Sequence, residues 1–344
     1  MKWKLLITAL SFSAMVFLAA ALTGWVKKPV RVDGNIIARS AGKGLRLLER
    51  SDYIFSRKGH CVSCHHNILT AVAAEIARKK AVPVTDSLCI QWRMGILGGI
   101  NAVANDNKIY DFITAKYIGA YFLFGLQAQK YPADFTTDLA VNYLMGQAKP
   151  DGSFGSEAMR VPLESGEIHL AALSVRDILE YAPPAKEKQV KELVNNTRHL
   201  FETANPDNQQ EIAFQLMGLE WTGGSAGKKS EVAGKLISLQ RADGGWSQLP
   251  AISSDAYATG QALYALSLSG LVKPEDDVYQ KGIRYLLNTQ DDSGAWIVIT
   301  RASPIQPFFT CDFPPYDENQ FISAAGSNWA VIALLNALPD KRDL

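Results

Sequence analysis

Two cysteines and two histidines stand together in the segment GHCVSCHHN at residues 59–67. Cys61 and Cys64 are three positions apart, and His65 follows directly. Covalent attachment of haem c requires this order, because the two thiols add across the vinyl groups and the histidine then ligates the iron. The segment therefore predicts a c-type haem bound by Cys61, Cys64 and His65.

The same residues permit two other interpretations. Cys61, Cys64 and one of His65 or His66 could hold zinc, provided that a fourth ligand such as Cys89 comes close. Alternatively, Cys61 and Cys64 form a disulfide and the histidines are polar residues at a helix start. Haem, zinc and disulfide all remain open at this point.

The N-terminus has the layout of an export signal. Two lysines precede an uncharged apolar run at 5–22, which ends in an Ala-x-Ala motif. We expect residues 1–26 to be a signal peptide, or a membrane anchor if uncleaved, and residues 27–41 to be a linker. The body is then exported to the periplasm or cell envelope, and it meets a membrane only through this segment.

The charge balance excludes one class of partner. The chain has 35 Lys and Arg against 34 Asp and Glu, which gives a formal net charge of +1. Basic residues form no run longer than three. Nucleic acid is therefore not an expected partner.

A repeated pattern runs through the body of the chain. A helix ends on a glutamine, an acidic turn with glycine follows, and an aromatic residue closes the unit at 143–155, 236–247 and 281–296. The spacing fits one unit of about 47 residues, which is typical of stacked helical units. The residues expected to brace these turns are Gln147, Gln240, Trp246, Gln290 and Trp296.

Polar and apolar helices alternate along the chain. Polar helices are expected at about 42–58, 86–104, 136–147, 188–203, 229–240 and 279–290, and apolar ones at about 66–81, 114–130, 165–181, 208–223, 255–270 and 324–338. The alternation predicts an all-α fold, an (α/α)6 toroid of six helical hairpins over residues 42–340, with the apolar helices inside. An open solenoid is the alternative, but the last helix is too apolar to cap one.

The stretch KGIRYLLNTQDDSGAW at 281–296 resembles the QW repeat of the squalene-hopene cyclases, and the repeats of protein prenyltransferase β subunits are similar. The resemblance implies the α/α toroid and an apolar, isoprenoid-like ligand. It does not carry over the chemistry. Cyclases of this kind protonate their substrate with a D-x-D-D motif, which this chain lacks, and TCDF at 310–313 does not reproduce the zinc ligands of prenyltransferases.

The repeat register places the cysteine segment at one mouth of the toroid. Residues 59–67 lie between an outer helix and the first inner helix, as do the turns before the other inner helices. A sixth haem ligand could come from His169 or Met217, or the position could stay open. The side chains expected around this mouth are Glu164, Glu167, His169, Asp255 and Tyr257.

The segment 297–323 is a second functional candidate. Its roughly 27 residues exceed an ordinary connection, and loops of this length are often lids or binding segments. We expect a flap over the same mouth or, alternatively, a packed surface excursion with a Cys89–Cys311 disulfide. The polar residues that it offers to a site are Arg301, Asp312 and Asp317.

Three functions are consistent with these patterns. The first is an exported haem c protein that acts in redox chemistry or electron transfer on an apolar ligand, together with a redox partner. The second is a hydrolase, lyase or isomerase in which Glu167 and Asp255 form an acid–base pair across the mouth. The third is a non-catalytic binding scaffold.

Overall fold

Helices make up the regular structure of the chain. The computed structural model describes residues 31–59, 63–105, 115–155, 160–303 and 310–341. The predicted signal or anchor segment and Cys61 lie outside these ranges. Within them there are twelve α-helices and no β-strand, only one isolated bridge between Trp246 and Asp255.

The helices alternate between an outer and an inner layer. The outer helices are α1 Gly34–Gly59, α3 Asp86–Asn105, α5 Phe135–Gln147, α7 Glu187–Thr203, α9 Ala226–Ser238 and α11 Asp277–Thr289. The inner helices are α2 Leu69–Lys79, α4 Ala115–Ala128, α6 Glu167–Tyr181, α8 Gln209–Thr222, α10 Ala256–Leu268 and α12 Gln320–Asn336. A π-helical turn, Cys64–Ile68, leads into α2, and a 3-10 turn, Pro184–Lys186, leads into α7.

Side-chain polarity decides which layer a helix joins. In the inner helix α12, 15 of 17 residues are buried, whereas the outer helix α7 buries only Val194, Thr197 and Phe201. A helix that is apolar on most sides must be enclosed, and a helix with one narrow apolar face can lie outside. The sequence pattern therefore predicts the two layers correctly.

The inner ring closes on itself. Each inner helix packs on the next, and α12 packs back against α2 and α1. The structure thus confirms the all-α toroid, and the solenoid alternative is wrong. At the seam, Ser40 Oγ of α1 donates to Gln290 Oε1 over 2.7 Å, and Gln290 Nε2 donates to the Ser40 carbonyl over 3.1 Å.

The repeated turns are tied to the helices that precede them. Trp246 Nε1 donates to the Leu236 carbonyl over 2.8 Å, and Trp296 Nε1 donates to the Leu286 carbonyl over 2.7 Å. Gln240 Nε2 donates to the carbonyl of Gly244 over 2.9 Å. Gln147, at the matching end of α5, is half-buried.

Two helix boundaries differ from the expected ones. Helix α1 begins at Gly34, within the stretch expected to be a linker, and α12 begins at Gln320 rather than near residue 324. The long connection before α12 is therefore shorter than expected. No helix within the described ranges is long and apolar enough to cross a membrane.

Candidate functional site at the toroid mouth

Two adjoining pockets occupy the end of the toroid at which the inner helices begin. The first pocket, of about 620 Å³, has Cys64, His65, Arg160 and Glu164 beside apolar residues such as Leu163, Phe321 and Ile322. The second pocket, of about 540 Å³, is lined by Ser165, Asn208, Gln210, Glu211, Gln248 and Arg301, among others. Val161 lines both pockets, so they share one wall.

The π-helical turn fixes Cys64 and His65 at the wall of the first pocket. Ser63 caps the turn, because its Oγ accepts the His66 N–H over 3.3 Å. Asn67 anchors it from the other side, accepting the Ser63 N–H and donating to Ser56 Oγ over 3.0 Å. Cys64 is 4% exposed, so its thiol lies within the fold.

His65, which is half-buried, forms a contact with the buried His66. Their Nδ1 atoms are 2.5 Å apart, and His66 Nε2 is 3.1 Å from Ser51 Oγ. Phe55 stacks on the His66 ring with centroids 4.8 Å apart, and Phe321 lies 5.1 Å from the His65 ring. Aromatic rings thus hold both imidazoles in place.

The histidine pair is uncharged at neutral pH. Burial, together with the nearby positive charge of Arg160, lowers the pKa of His65 to about 3. Burial also holds the pKa of His66 well below its usual value. A neutral imidazole is the form that binds metal. With Cys64 and His65 on one pocket wall, the described part of the CxxCH motif fits a covalently attached haem.

A buried carboxyl faces the same pocket. Arg160 Nη1 donates to Glu164 Oε1 over 2.8 Å. Glu164 Oε2 is buried and has no hydrogen-bond partner among the described residues. Burial raises the pKa of Glu164. This wall therefore offers a cation and an unpaired oxygen acceptor to whatever occupies the pocket.

The second pocket is bordered by a chain of hydrogen bonds from Arg301 to Asp255. Arg301 Nε donates to Gln248 Oε1 over 2.8 Å, and Gln248 Nε2 donates to Asp255 Oδ2 over 3.0 Å. Asp255 caps α10, because its Oδ1 accepts the Ala258 N–H over 2.9 Å. Burial raises the pKa of Asp255 to about 6.

Glu211, rather than Glu167, lies at the second pocket. Glu167 is exposed, and no hydrogen bond or ion pair in the described structure joins it to Asp255. Glu211 reaches from α8 to the start of α6 and accepts the N–H groups of Ile168 (2.9 Å) and His169 (3.1 Å). Burial raises the pKa of Glu211 to about 7. Sequence reasoning missed this residue, since its burial depends on how two inner helices meet.

The glycine at 166 makes this contact possible. Gly166 has φ of 101°, and a Cβ atom built there would overlap Glu211 Oε1. Only glycine adopts such a backbone conformation without strain and leaves room for the carboxylate. The turn before α6 is therefore matched to Glu211.

The predicted sixth ligands are engaged in the core. His169 Nε2 lies 2.9 Å from the Tyr121 hydroxyl, and His169 Nδ1 lies 3.1 Å from the Ser165 carbonyl, so both ring nitrogens have partners. Met217 is 1% exposed on α8. Tyr257 is likewise buried and donates to Gln210 Oε1 over 2.7 Å. Side chains of neighbouring inner helices thus hydrogen-bond to each other.

The remaining cysteines do not pair. Cys89 and Cys311 carry no disulfide, so the alternative with a bridge between them is wrong. Cys89 packs with Ala71, Ala74 and Trp92, and Cys311 Sγ donates to Gln320 Oε1 over 3.1 Å. Across the described ranges, no three His, Cys, Asp or Glu side chains gather to hold a metal ion. The zinc hypothesis needs Cys61, which lies outside those ranges.

The long connection contributes to both pockets. Thr300, Ala302 and Ser303 line the first pocket, and Arg301 lines the second. Asp312 forms an ion pair with Arg50, and Asp317 Oδ1 accepts the Asn319 N–H over 2.8 Å. The first part of the segment lies at the mouth, whereas its two aspartates serve local contacts.

Comparison with solved structures finds proteins with a similar architecture. A variant of type II terpene cyclase MstE from Scytonema, in complex with merosterolic acid A, superposes with a TM-score of 0.57 at 14% identity, covering 88% of this chain and 97% of that one. The chain has the terpene cyclase fold. Another MstE variant, holding its substrate geranylgeranyl dihydroxybenzoate, gives 0.56 at 12% identity, covering 89% and 99%. A protein from Actinoplanes gives 0.55 at 12% identity, covering 86% and 99%.

The similarity to the terpene cyclase fold is one of structure and not of sequence. No protein-family model and no curated protein matches the chain. At 12–14% identity the solved structures establish the architecture alone.

Proposed function

We propose that this protein is an exported haem c protein built on the terpene cyclase fold, and that it works in electron transfer with an apolar ligand. Cys61, Cys64 and His65 would hold the haem at the first pocket. The observation that carries the proposal is that Cys64 and His65 line the same pocket wall. When bound, a haem supplies one-electron redox chemistry, and the chain supplies binding and orientation.

The walls of the first pocket support this proposal. Leu163, Phe321 and Ile322 offer apolar surface of the kind that an aromatic macrocycle buries. Arg160 offers a guanidinium suited to a carboxylate, a group that haem carries in its propionates. The lowered pKa keeps His65 neutral at physiological pH, so one of its two ring nitrogens carries no proton.

The apolar ligand is proposed from the fold. The MstE complexes hold an isoprenoid substrate and its product. The chain lacks the D-x-D-D acid of such cyclases, and we do not propose cyclisation. A redox role for an isoprenoid-like ligand agrees with a haem motif and an export signal in one chain.

A pyridine haemochrome spectrum tests the proposal. The full chain is exported in a host with cytochrome c maturation, purified and extracted with acidified acetone, which removes non-covalent haem. Covalent haem should remain in the wild type and in Cys89→Ser and Cys311→Ser, and should be lost in Cys61→Ser, Cys64→Ser double variants. A wild type without covalent haem overturns it.

Acid–base chemistry in the second pocket is the second candidate. Glu211 is buried and Asp255 is half-buried, and both have raised pKa values, the pattern typical of catalytic carboxyls. Turnover found in a substrate screen should fall at least tenfold in Asp255→Asn, and it should persist in Glu167→Gln, since Glu167 is exposed. Equal activity of the wild type, Asp255→Asn and Glu167→Gln would exclude this role for Asp255.

A further inference from the structure

We propose that Ser51 and His66 decide which ring nitrogen of His65 carries its proton, so that the lone pair of His65 Nε2 is the one presented to the first pocket. This inference rests on the proposed role of His65 as a ligand. It makes Ser51 and His66 positioning residues, and it concerns the polypeptide before any haem is attached.

The chain of hydrogen bonds begins at a carbonyl, which can only accept. Ser51 Oγ lies 2.9 Å from the Cys311 carbonyl oxygen and 3.1 Å from His66 Nε2. A serine hydroxyl has one proton. Because that proton goes to the carbonyl of Cys311, the Ser51 oxygen must accept from His66. His66 therefore carries its proton on Nε2.

The direction passes from His66 to His65. A neutral imidazole has one N–H, so His66 Nδ1 is an acceptor. His65 Nδ1 lies 2.5 Å away, and the two atoms can form a hydrogen bond only if His65 Nδ1 donates. Ser63 Oγ lies 3.3 Å from the same nitrogen and then serves as a second acceptor for its proton. His65 Nε2 is then unprotonated. It has no hydrogen bond among the described residues, and the His65 side chain lines the first pocket.

The surroundings keep this direction fixed. Ser51 and His66 are 0% exposed, so water cannot replace either partner. Phe55 lies against the His66 ring at an interplanar angle of 19°, which prevents the ring from turning over. The Cys311 backbone is itself held, because its N–H donates to Gln320 Oε1 over 2.8 Å. The direction of these hydrogen bonds is thus set by residues of α1, of the turn before α2 and of the segment before α12.

A fixed N–H partner on the second nitrogen is what a metal-ligating histidine needs. Such a partner sets the tautomer and the ring orientation and makes the ligating nitrogen more basic, and its loss typically costs ten- to a hundredfold in metal affinity. In this protein, Ser51 and His66 would therefore fix the tautomer of His65 before any metal centre binds.

Nitrogen-15 NMR of the chain without haem tests the inference directly. Two-bond ring correlations distinguish Nδ1–H from Nε2–H imidazoles. We expect Nδ1–H for His65 and Nε2–H for His66, with His169 as an internal reference, since its Nδ1 faces the Ser165 carbonyl. Ser51→Ala should give His65 a mixture of both tautomers, and Ser51→Thr, which keeps the hydroxyl, should retain one. His65 protonated on Nε2, or no change in Ser51→Ala, overturns the inference.

The haem-loaded protein separates this inference from the proposed function. With haem attached, Ser51→Ala should raise the midpoint potential, because a less basic ligand stabilises the oxidised iron less. A tenfold change in the ligand's preference for oxidised over reduced iron corresponds to a shift in midpoint potential of about 59 mV for one electron. An unchanged midpoint potential would contradict the positioning role of Ser51. Failure of haem to attach at all would contradict the proposed function, but it would not affect the tautomer measured by NMR.

Discussion

Gln290 joins Ser40 across 250 positions of the chain and closes the toroid. Its amide accepts from the Ser40 hydroxyl and donates to the carbonyls of Ser40 and Gly294. Two of these three contacts link the last outer helix to the first. The seam of the ring therefore depends on one amide that recognises both a hydroxyl and a backbone carbonyl.

Removing this amide should weaken the whole fold. Gln290→Ala should lower the free energy of unfolding by about 2–3 kcal/mol, because it removes three hydrogen bonds and leaves partly buried partners unsatisfied. Urea unfolding followed by circular dichroism measures the change. Gln91→Ala, at an exposed position of α3, is the matched control and should stay within about 0.5 kcal/mol of wild type. Equal effects of the two substitutions would show that the seam does not depend on Gln290.

Two glycines should respond to alanine in opposite directions. Gly260 lies where α10 meets α12, and a Cβ there would be 2.5 Å from the Trp329 carbonyl oxygen. Gly260→Ala should cost about 3 kcal/mol, since backbone cannot move aside as a side chain does. Gly98, in α3, has nothing within 4 Å of such a Cβ. Gly98→Ala should stabilise the protein by roughly 0.5–1 kcal/mol, as thermal unfolding can show. Destabilisation of similar size at both positions would contradict the packing of the inner ring.

Glu211 should make stability depend on pH. Its pKa in the folded protein is raised from 4.5 to about 7, so the folded state holds this proton more tightly than the unfolded state. The contribution to stability is present below pH 4.5 and is lost as the pH rises through 7. Relative to Glu211→Gln, which cannot titrate there, the wild type should lose about 2 kcal/mol between pH 5 and pH 8. Urea unfolding of both proteins at each pH measures this difference, and a constant difference would mean that the pKa of Glu211 is not raised.

The architecture follows from features that are local in sequence. Apolar helices such as α12 have to be enclosed, and the turns before them carry the glutamine and tryptophan that fasten each unit. Gln240 and Trp246 illustrate this, because their partners lie within ten residues. The terminal helix was too apolar for an open end, so closure could also be predicted.

The details of the mouth could not be read from the sequence in the same way. Glu211 is buried because α8 meets the start of α6, and Gly166 makes room for it, which no local pattern reveals. Glu167 directly follows Gly166 in the sequence and is exposed. The contact between Ser51 and His66 joins elements that are brought together only when the first hairpin folds. The spacing of Cys61, Cys64 and His65 could be recognised in the sequence, whereas the hydrogen bonds that orient His65 could not.

The most direct test of the account is the intact mass of the exported, full-length protein under denaturing conditions. We predict a gain equal to one haem, located by peptide mapping to the fragment that carries Cys61 and Cys64. The gain should be absent when both cysteines are serine and unchanged when Cys89 and Cys311 are serine. A wild-type mass that fits the bare polypeptide, in a host that loads a control cytochrome c, would contradict the central claim and direct attention to the carboxyls of the second pocket.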